Sequence, residues 1–126
     1  PVRANRIRKS IGGERTFSED ISAESELRDT LERIIDIVWD RIASKQARGR
    51  TVTLKLKYND FQIATRSRSH PQPVVDKAQF GQIARAILDD ELPPPMPIRL
   101  MGLTLSNLDH EDREERGLDN AQLSLL

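Results

Sequence analysis

Cysteine is absent from the 126-residue chain. That excludes a disulfide scaffold, thiolate chemistry and sulfur-ligated zinc, and it fits a reducing compartment. Aromatic side chains are scarce at 4%, with one Trp and one Tyr, so a site of several stacked rings is not expected. No apolar run approaches the roughly 20 residues that a membrane span needs. The basic opening runs into Gly12-Gly13-Glu14 without the apolar core of a secretory signal. Internal repeats are lacking. Net charge is also lacking, because twenty basic residues balance twenty acidic ones.

What is present is 37% apolar and 32% charged residues, enough for one domain with a modest core and a highly charged surface. Residues 1–9, PVRANRIRK, are basic and non-periodic and read as a tether or extended arm. The opening at Pro1, without Met, fits an excised or processed fragment.

The hydropathy pattern predicts four strands and two helices. Residues 10–17, SIGGERTF, read as a first strand with a bulge or close backbone approach at Gly12-Gly13. Over 23–45, Leu27, Leu31, Ile34, Ile35, Val38 and Ile42 recur at helical spacing, with Trp39 beside the stripe. Ser22 is the expected N-cap, and Gly49 the loop after the helix. TVTLKLKY, residues 51–58, alternates, with Val52, Leu54, Leu56 and Tyr58 inward and Thr51, Thr53, Lys55 and Lys57 outward. Asn59-Asp60 marks a turn into 61–68. There Phe61, Ile63 and Thr65 are expected inward, and Gln62, Ala64, Arg66 and Arg68 outward. The HPQP segment at 70–73 reads as a break.

A second helix, about 77–90, buries Phe80, Ile83, Ala84, Ile87 and Leu88; Asp76 and Gln79 have capping-box spacing. Pro93, Pro94, Pro95 and Pro97 end it. In IRLMGLTLSNL, 98–108, the apolar parity switches, and a bulge at Met101-Gly102 is expected to repair it. The order β-α-β-β-α-β predicts an α+β sandwich: a four-stranded sheet, two helices on one face, and ferredoxin-like topology.

Neutrality conceals segregation. Residues 45–70 hold Lys45, Arg48, Arg50, Lys55, Lys57, Arg66 and Arg68 against Asp60 alone, while 19–40 hold eight acids and two bases. Lys55, Lys57, Arg66 and Arg68, with the hydroxyls of Thr51 and Thr53, are expected on one open sheet face. Such a face suits a nucleic-acid backbone but has no evident means of reading bases. The same cations could equally keep an exposed hairpin soluble and protect its edge, so pattern alone leaves both readings open.

No reaction centre emerges. His70 and His110 have no ligand or base partner at useful spacing. The acids of 109–121 read as a flexible solubilising segment rather than a metal cage, and Ser10 has no base to activate it. Glu14 is expected to pair with Arg15 within the first strand.

Three separated motifs carry a resemblance. RKSIGGERTFSEDI (8–21) resembles the entry to the little-finger, or C-terminal, domain of Y-family translesion DNA polymerases. TVTLKLKYNDFQIATRSRS (51–69) resembles its central hairpin, and PIRLMGLTLSNL (97–108) its last strand. Their order and spacing are similar to the bacterial DNA polymerase IV type over residues 6–108. The resemblance implies binding of primer–template duplex DNA through a phosphate-binding turn at Ser10, Ile11 and Gly12. It also implies sheet contacts from Thr53, Lys55, Lys57, Arg66, Ser67, Arg68, Ser69 and Arg99. It further implies an upstream thumb, fingers and palm in the parent, the palm supplying Mg²⁺-dependent nucleotidyl transfer. The fragment itself then has no catalytic residue, metal or cofactor, and acts as a monomeric, cytoplasmic, nucleoid-associated domain.

QLSLL at the end resembles the peptide by which bacterial polymerases dock on the sliding clamp, with Gln122 at a pocket mouth and Leu123, Leu125 and Leu126 in apolar pockets around Ser124. Leu126 departs from the commoner Phe. Residues 109–121 would supply reach. A module serving chiefly to dock on the clamp, and an RNA-binding α/β module, are the competing readings.

Overall fold

A computed structural model of the chain describes residues 10–108. The order is β1 (Ser10–Ile21), α1 (Glu24–Ser44), β2 (Gly49–Tyr58), β3 (Ile63–Val74), α2 (Lys77–Glu91) and β4 (Ile98–Ser106). The strands form one antiparallel sheet in the order β1-β4-β2-β3. β1 therefore runs parallel to β2 with β4 between them, and β3 parallel to β4 with β2 between them. This is the split-βαβ plan, with both helices on the same face. The expected α+β class, four-stranded sheet and pair of helices all stand; the ferredoxin-like strand order does not, because β2 and β4 rather than β1 and β3 are the central strands. The tether 1–9, the segment 109–121 with His110, and the terminal peptide 122–126 lie outside the described residues.

The helical stripes close the core as their spacing requires. Leu27, Leu31, Ile34, Ile35, Val38 and Ile42 of α1 are buried, as are Phe80, Ile83, Ala84, Ile87 and Leu88 of α2. They cover Val52, Leu54 and Leu56 of β2 and Met101, Leu103 and Leu105 of β4. Trp39 packs at the edge, its ring centroid 5.7 Å from that of Phe80.

Ends and registers depart from the pattern in several places. Residue 23, not Ser22, caps α1, and it makes no side-chain cap bond. The Ala23 carbonyl already accepts from Leu27 N at 3.1 Å, so Ser22 lies one residue too early. Gly49 opens β2 rather than a loop: a Cβ there would lie 2.6 Å from the Ser106 carbonyl oxygen. At Gly12-Gly13 the close backbone approach is found and the bulge is not: a Cβ on Gly12 would lie 2.7 Å from the Leu103 carbonyl oxygen, both residues pair regularly with β4, and the β1 irregularity falls between Thr16 and Ile21. The β4 bulge is at Arg99, not Met101-Gly102: Tyr58 pairs with Ile98 and Lys57 with Leu100, leaving Arg99 extra. HPQP does not end β3, which continues to Val74, but it does interrupt the pairing: Ser69 faces Thr51 and Val74 faces Gly49, so residues 70–73 stand opposite Arg50 alone. β3 is an edge strand, where proline's missing N–H costs no ladder bond.

The hairpin contains the largest correction. A two-residue Asn59-Asp60 turn would have set Phe61 opposite Tyr58. Instead Tyr58 N donates to Gln62 O at 2.9 Å, so the loop has a third residue, Phe61, at φ 70°. A left-handed third residue is characteristic of three-residue hairpin loops. One added residue flips every side chain of the following strand. Phe61, Ile63 and Thr65 are accordingly exposed, while Ala64 packs against the core.

Candidate nucleic-acid interface

The sheet face away from the helices follows from register, because cross-strand partners share a face. One row runs Ser10–Ser106–Thr51–Ser69, and the next Gly12–Thr104–Thr53–Ser67. The third runs Glu14–Gly102–Lys55–Thr65, and the fourth Thr16–Leu100–Lys57–Ile63. Hydroxyls dominate two rows and cations enter the other two. The surface is low because Gly12 and Gly102 sit where neighbours leave no room. A Cβ on Gly12 would meet Thr104 Oγ1 at 2.8 Å.

The hydroxyls are held in pairs. Thr53 Oγ1 lies 2.7 Å from Ser67 Oγ, and Thr51 Oγ1 lies 2.8 Å from Ser69 Oγ. Asn107 Nδ2 donates to Thr51 Oγ1 at 2.6 Å. The Thr53–Ser67 pair is exposed and can give or accept a further hydrogen bond, whereas Thr51 is buried and holds Ser69 in place from beneath. None of these hydroxyls is paired with a basic side chain in these contacts, so the rows offer binding rather than nucleophilic chemistry. Among the described residues, no group of three or more His, Asp or Glu is placed to hold a metal ion.

Lys55 Nζ lies 3.3 Å from Glu14 Oε1. Glu14 therefore pairs across the sheet, not with Arg15, since adjacent strand residues point to opposite faces. The pair bridges the side-chain gap at Gly102. Glu14 is the one carboxylate in the four rows.

The four cations expected together are separated. Lys55 and Lys57 occupy the open face. Arg66 pairs with Leu54 and Arg68 with Val52, which places both on the helix side of β3. There Arg66 Nε lies 3.2 Å from Glu91 Oε2, and Arg68 bonds to Asp90 of α2. The cause is the three-residue loop. Nearby, burial and the Glu91 charge raise the Tyr58 hydroxyl's pKa against a smaller opposing effect of Arg66.

The other expected contacts divide similarly. Ser10, Gly12, Thr53, Ser67 and Ser69 share the open face, and Arg99 stands at its bulged end. Ile11 is 4% exposed and points into the core, so only its main chain is available. Thr65, expected inward, joins the face, as do Thr104 and Ser106, which were not singled out from the sequence. For Thr104 and Ser106 the signal is their alternation with the inward Leu103 and Leu105; for Thr65 it is the three-residue hairpin loop. Gln122, Leu123, Ser124, Leu125 and Leu126 lie outside the described residues.

Comparison with known proteins adds the lineage. The model of the impB/mucB/samB family C-terminal domain matches residues 8–124. DNA polymerase IV of Halorhodospira halophila (strain DSM 244 / SL1) is 41% identical over 115 residues, covering 91% of this chain and 32% of that protein. DNA polymerase IV 2 of Agrobacterium fabrum (strain C58 / ATCC 33970) is 42% identical over 128 residues, covering 95% and 35%. The chain thus spans about a third of the length of these curated relatives. A solved complex of the beta-clamp processivity factor and the little finger domain of PolIV matches with a TM-score of 0.65 at 28% identity, covering 93% of this chain and 96% of that one. A Y-family DNA polymerase chimera shares the fold, with a TM-score of 0.63 at 17% identity over 82% of this chain and 29% of that one.

Proposed function

The chain belongs to the impB/mucB/samB family C-terminal domains, the little-finger domains of Y-family DNA polymerases, and from that premise we propose that it grips primer–template DNA by its backbone. The observation that carries this reading is the helix-free sheet face. Nine hydroxyl residues, Ser10, Thr16, Thr51, Thr53, Thr65, Ser67, Ser69, Thr104 and Ser106, share it with Lys55 and Lys57 over a low floor at Gly12 and Gly102. Hydroxyls, main-chain amides and lysines suit phosphate oxygens; they position a duplex without reading its sequence. Arg99 extends the footprint at one end. Arg66 and Arg68 reach DNA only around the β3 edge and in competition with Glu91 and Asp90.

In this reading the parent is a DNA-directed DNA polymerase with its own palm, fingers and thumb. Mg²⁺-dependent nucleotidyl transfer belongs to the palm, and the described residues of this domain bring together no carboxylate cluster for such ions. The domain contributes positioning and residence time. Gln122–Leu126 act as a clamp-docking peptide, a role supported by the relative whose structure is a complex with the beta-clamp.

Fluorescence anisotropy with a labelled primer–template tests the DNA reading. Binding is expected to be weak, indifferent to sequence and steeply reduced between about 50 and 200 mM salt. Affinity that ignores salt, or an equal response to double-stranded RNA, would count against it. Removing residues 122–126 is expected to abolish clamp binding and spare DNA binding; retained clamp affinity would refute the docking role.

A further inference from the structure

One end of the open face differs from the rest. Phe61 is 57% exposed and Ile63 is 54% exposed, although the chain has few aromatic residues to leave in solvent. Lys57 Nζ lies 5.1 Å from the Phe61 ring centroid, and the Arg99 guanidinium carbon lies 4.7 Å from it. Both distances are within cation–π range. Leu100 lies in the same row as Lys57 and Ile63; it is buried yet stands outside the main core cluster. A small apolar spot thus lies on the open face, with two cations at an exposed ring.

The turn holds that ring in place. Phe61 has φ 70°, a conformation that side chains other than glycine rarely adopt. Its N–H donates to Tyr58 O at 2.8 Å, Gln62 N donates to Asp60 Oδ1 at 3.0 Å, and Asn59 N donates to Pro97 O at 2.9 Å. The third bond ties the hairpin tip to the chain entering β4, beside the Arg99 bulge. Arg99 is steadied by Asp20, 3.5 Å away.

Building on the DNA reading, we propose that Phe61, Lys57 and Arg99 form a nucleotide clamp on the open face. The ring and Ile63 pack on a sugar or unstacked base of one DNA strand, and the two cations take its flanking phosphates. Charge and polarity favour this occupant. Two cations ask for anions, and the ring with Ile63 asks for an apolar neighbour between those anions. A sugar–phosphate strand repeats that alternation. The cluster is also continuous with the hydroxyl rows, so one strand can cross both.

The test substitutes Phe61 in the 126-residue chain. Phe61→Gly removes the ring at a φ that glycine adopts without strain, so the turn is retained. Phe61→Tyr keeps the plate. Stacking contacts of this kind, removed by substitution, weaken binding about five-fold or more. Phe61→Gly is expected to weaken primer–template binding by that factor with the salt dependence unchanged, and Phe61→Tyr to bind as the parent chain does. Lys57→Ala is expected to reduce the salt slope by about one. Unchanged affinity in Phe61→Gly, with Lys55→Ala and Thr53→Val still weakening binding, overturns the clamp but leaves the wider DNA face standing. No primer–template binding by the unsubstituted chain overturns both. A Phe61→Trp variant gives a second readout: indole emission is expected to change on DNA addition, and unchanged emission at saturation refutes the contact.

Discussion

Glu14 and Lys55 sit two strands apart, and their side chains meet because the residue between them is Gly102. A Cβ at that position would lie 3.1 Å from Glu14 Cβ. The carboxylate partly neutralises a lysine proposed to face phosphates. Glu14→Gln is expected to raise DNA affinity roughly two- to five-fold and to steepen its salt dependence, as measured by anisotropy titrations. An exposed pair is worth no more than that, since the two side chains are 38% and 52% exposed. Tyr58 gives a test of a different kind. Burial raises its hydroxyl pKa above the ordinary 10.0. The folded state then holds the proton that the unfolded chain releases. Its contribution to stability is complete below the unfolded value and falls as pH rises through the folded one. Denaturant midpoints followed from about pH 9 to 11 should decline less in Tyr58→Phe than in the parent chain.

The two helices are built from different end signals. Asp76 caps α2 by accepting from Gln79 N at 2.8 Å, and Gln79 Oε1 accepts from Val75 N at 3.3 Å. Asp76→Ala is expected to cost about 1 kcal/mol, read as a fall in thermal midpoint. α1 lacks a side-chain cap and is held laterally instead. Glu32 accepts two hydrogen bonds from Arg85 at 2.6 and 2.9 Å, Asp36 pairs with Lys77, and Arg28 pairs with Asp89. The Arg85 hydrogen bonds hold the Glu32 carboxyl below its ordinary pKa. That stability is present above the unfolded value and is lost as pH falls through the folded one. Both side chains are nearly half exposed, which limits the effect to under about 1 kcal/mol. Glu32→Gln should flatten the acid limb of a stability–pH curve by that amount. The turn before β3 has the opposite character, because a single extra residue there decides which side of the sheet two arginines occupy.

Across the molecule, charge is arranged by layer. The outer helical layer carries the six acids of 24–40 and those at the end of α2, and the open sheet face carries hydroxyls, Lys55 and Lys57 against Glu14 alone. Zero net charge therefore coexists with a face able to attract phosphates. Arg66 and Arg68 join the helical layer through Glu91 and Asp90. Lys55→Ala with Lys57→Ala should accordingly weaken primer–template binding more than Arg66→Ala with Arg68→Ala. The reverse order would move the footprint from the sheet face to the β3 edge.

Periodicity alone determined the order of the elements and most of the core, Phe61 and Ile63 excepted. Helical stripes at three and four residues and the alternation of 51–58 leave little freedom in which side chains turn inward, because burying them is what drives folding. The three motifs of the family resemblance likewise lie in the chain itself. For the open face the pattern supplied β2's share, Thr53, Lys55 and Lys57, but not β3's, since a strand's two sides are told apart only by its partner's register. Whether Arg66 or Ser67 faces outward depends on a loop of three residues rather than two, and on Phe61 accepting a left-handed backbone. Whether Leu100 or Met101 turns into the core depends on the bulge falling at Arg99. These are choices of pairing between distant segments, made when the whole sheet closes over one core.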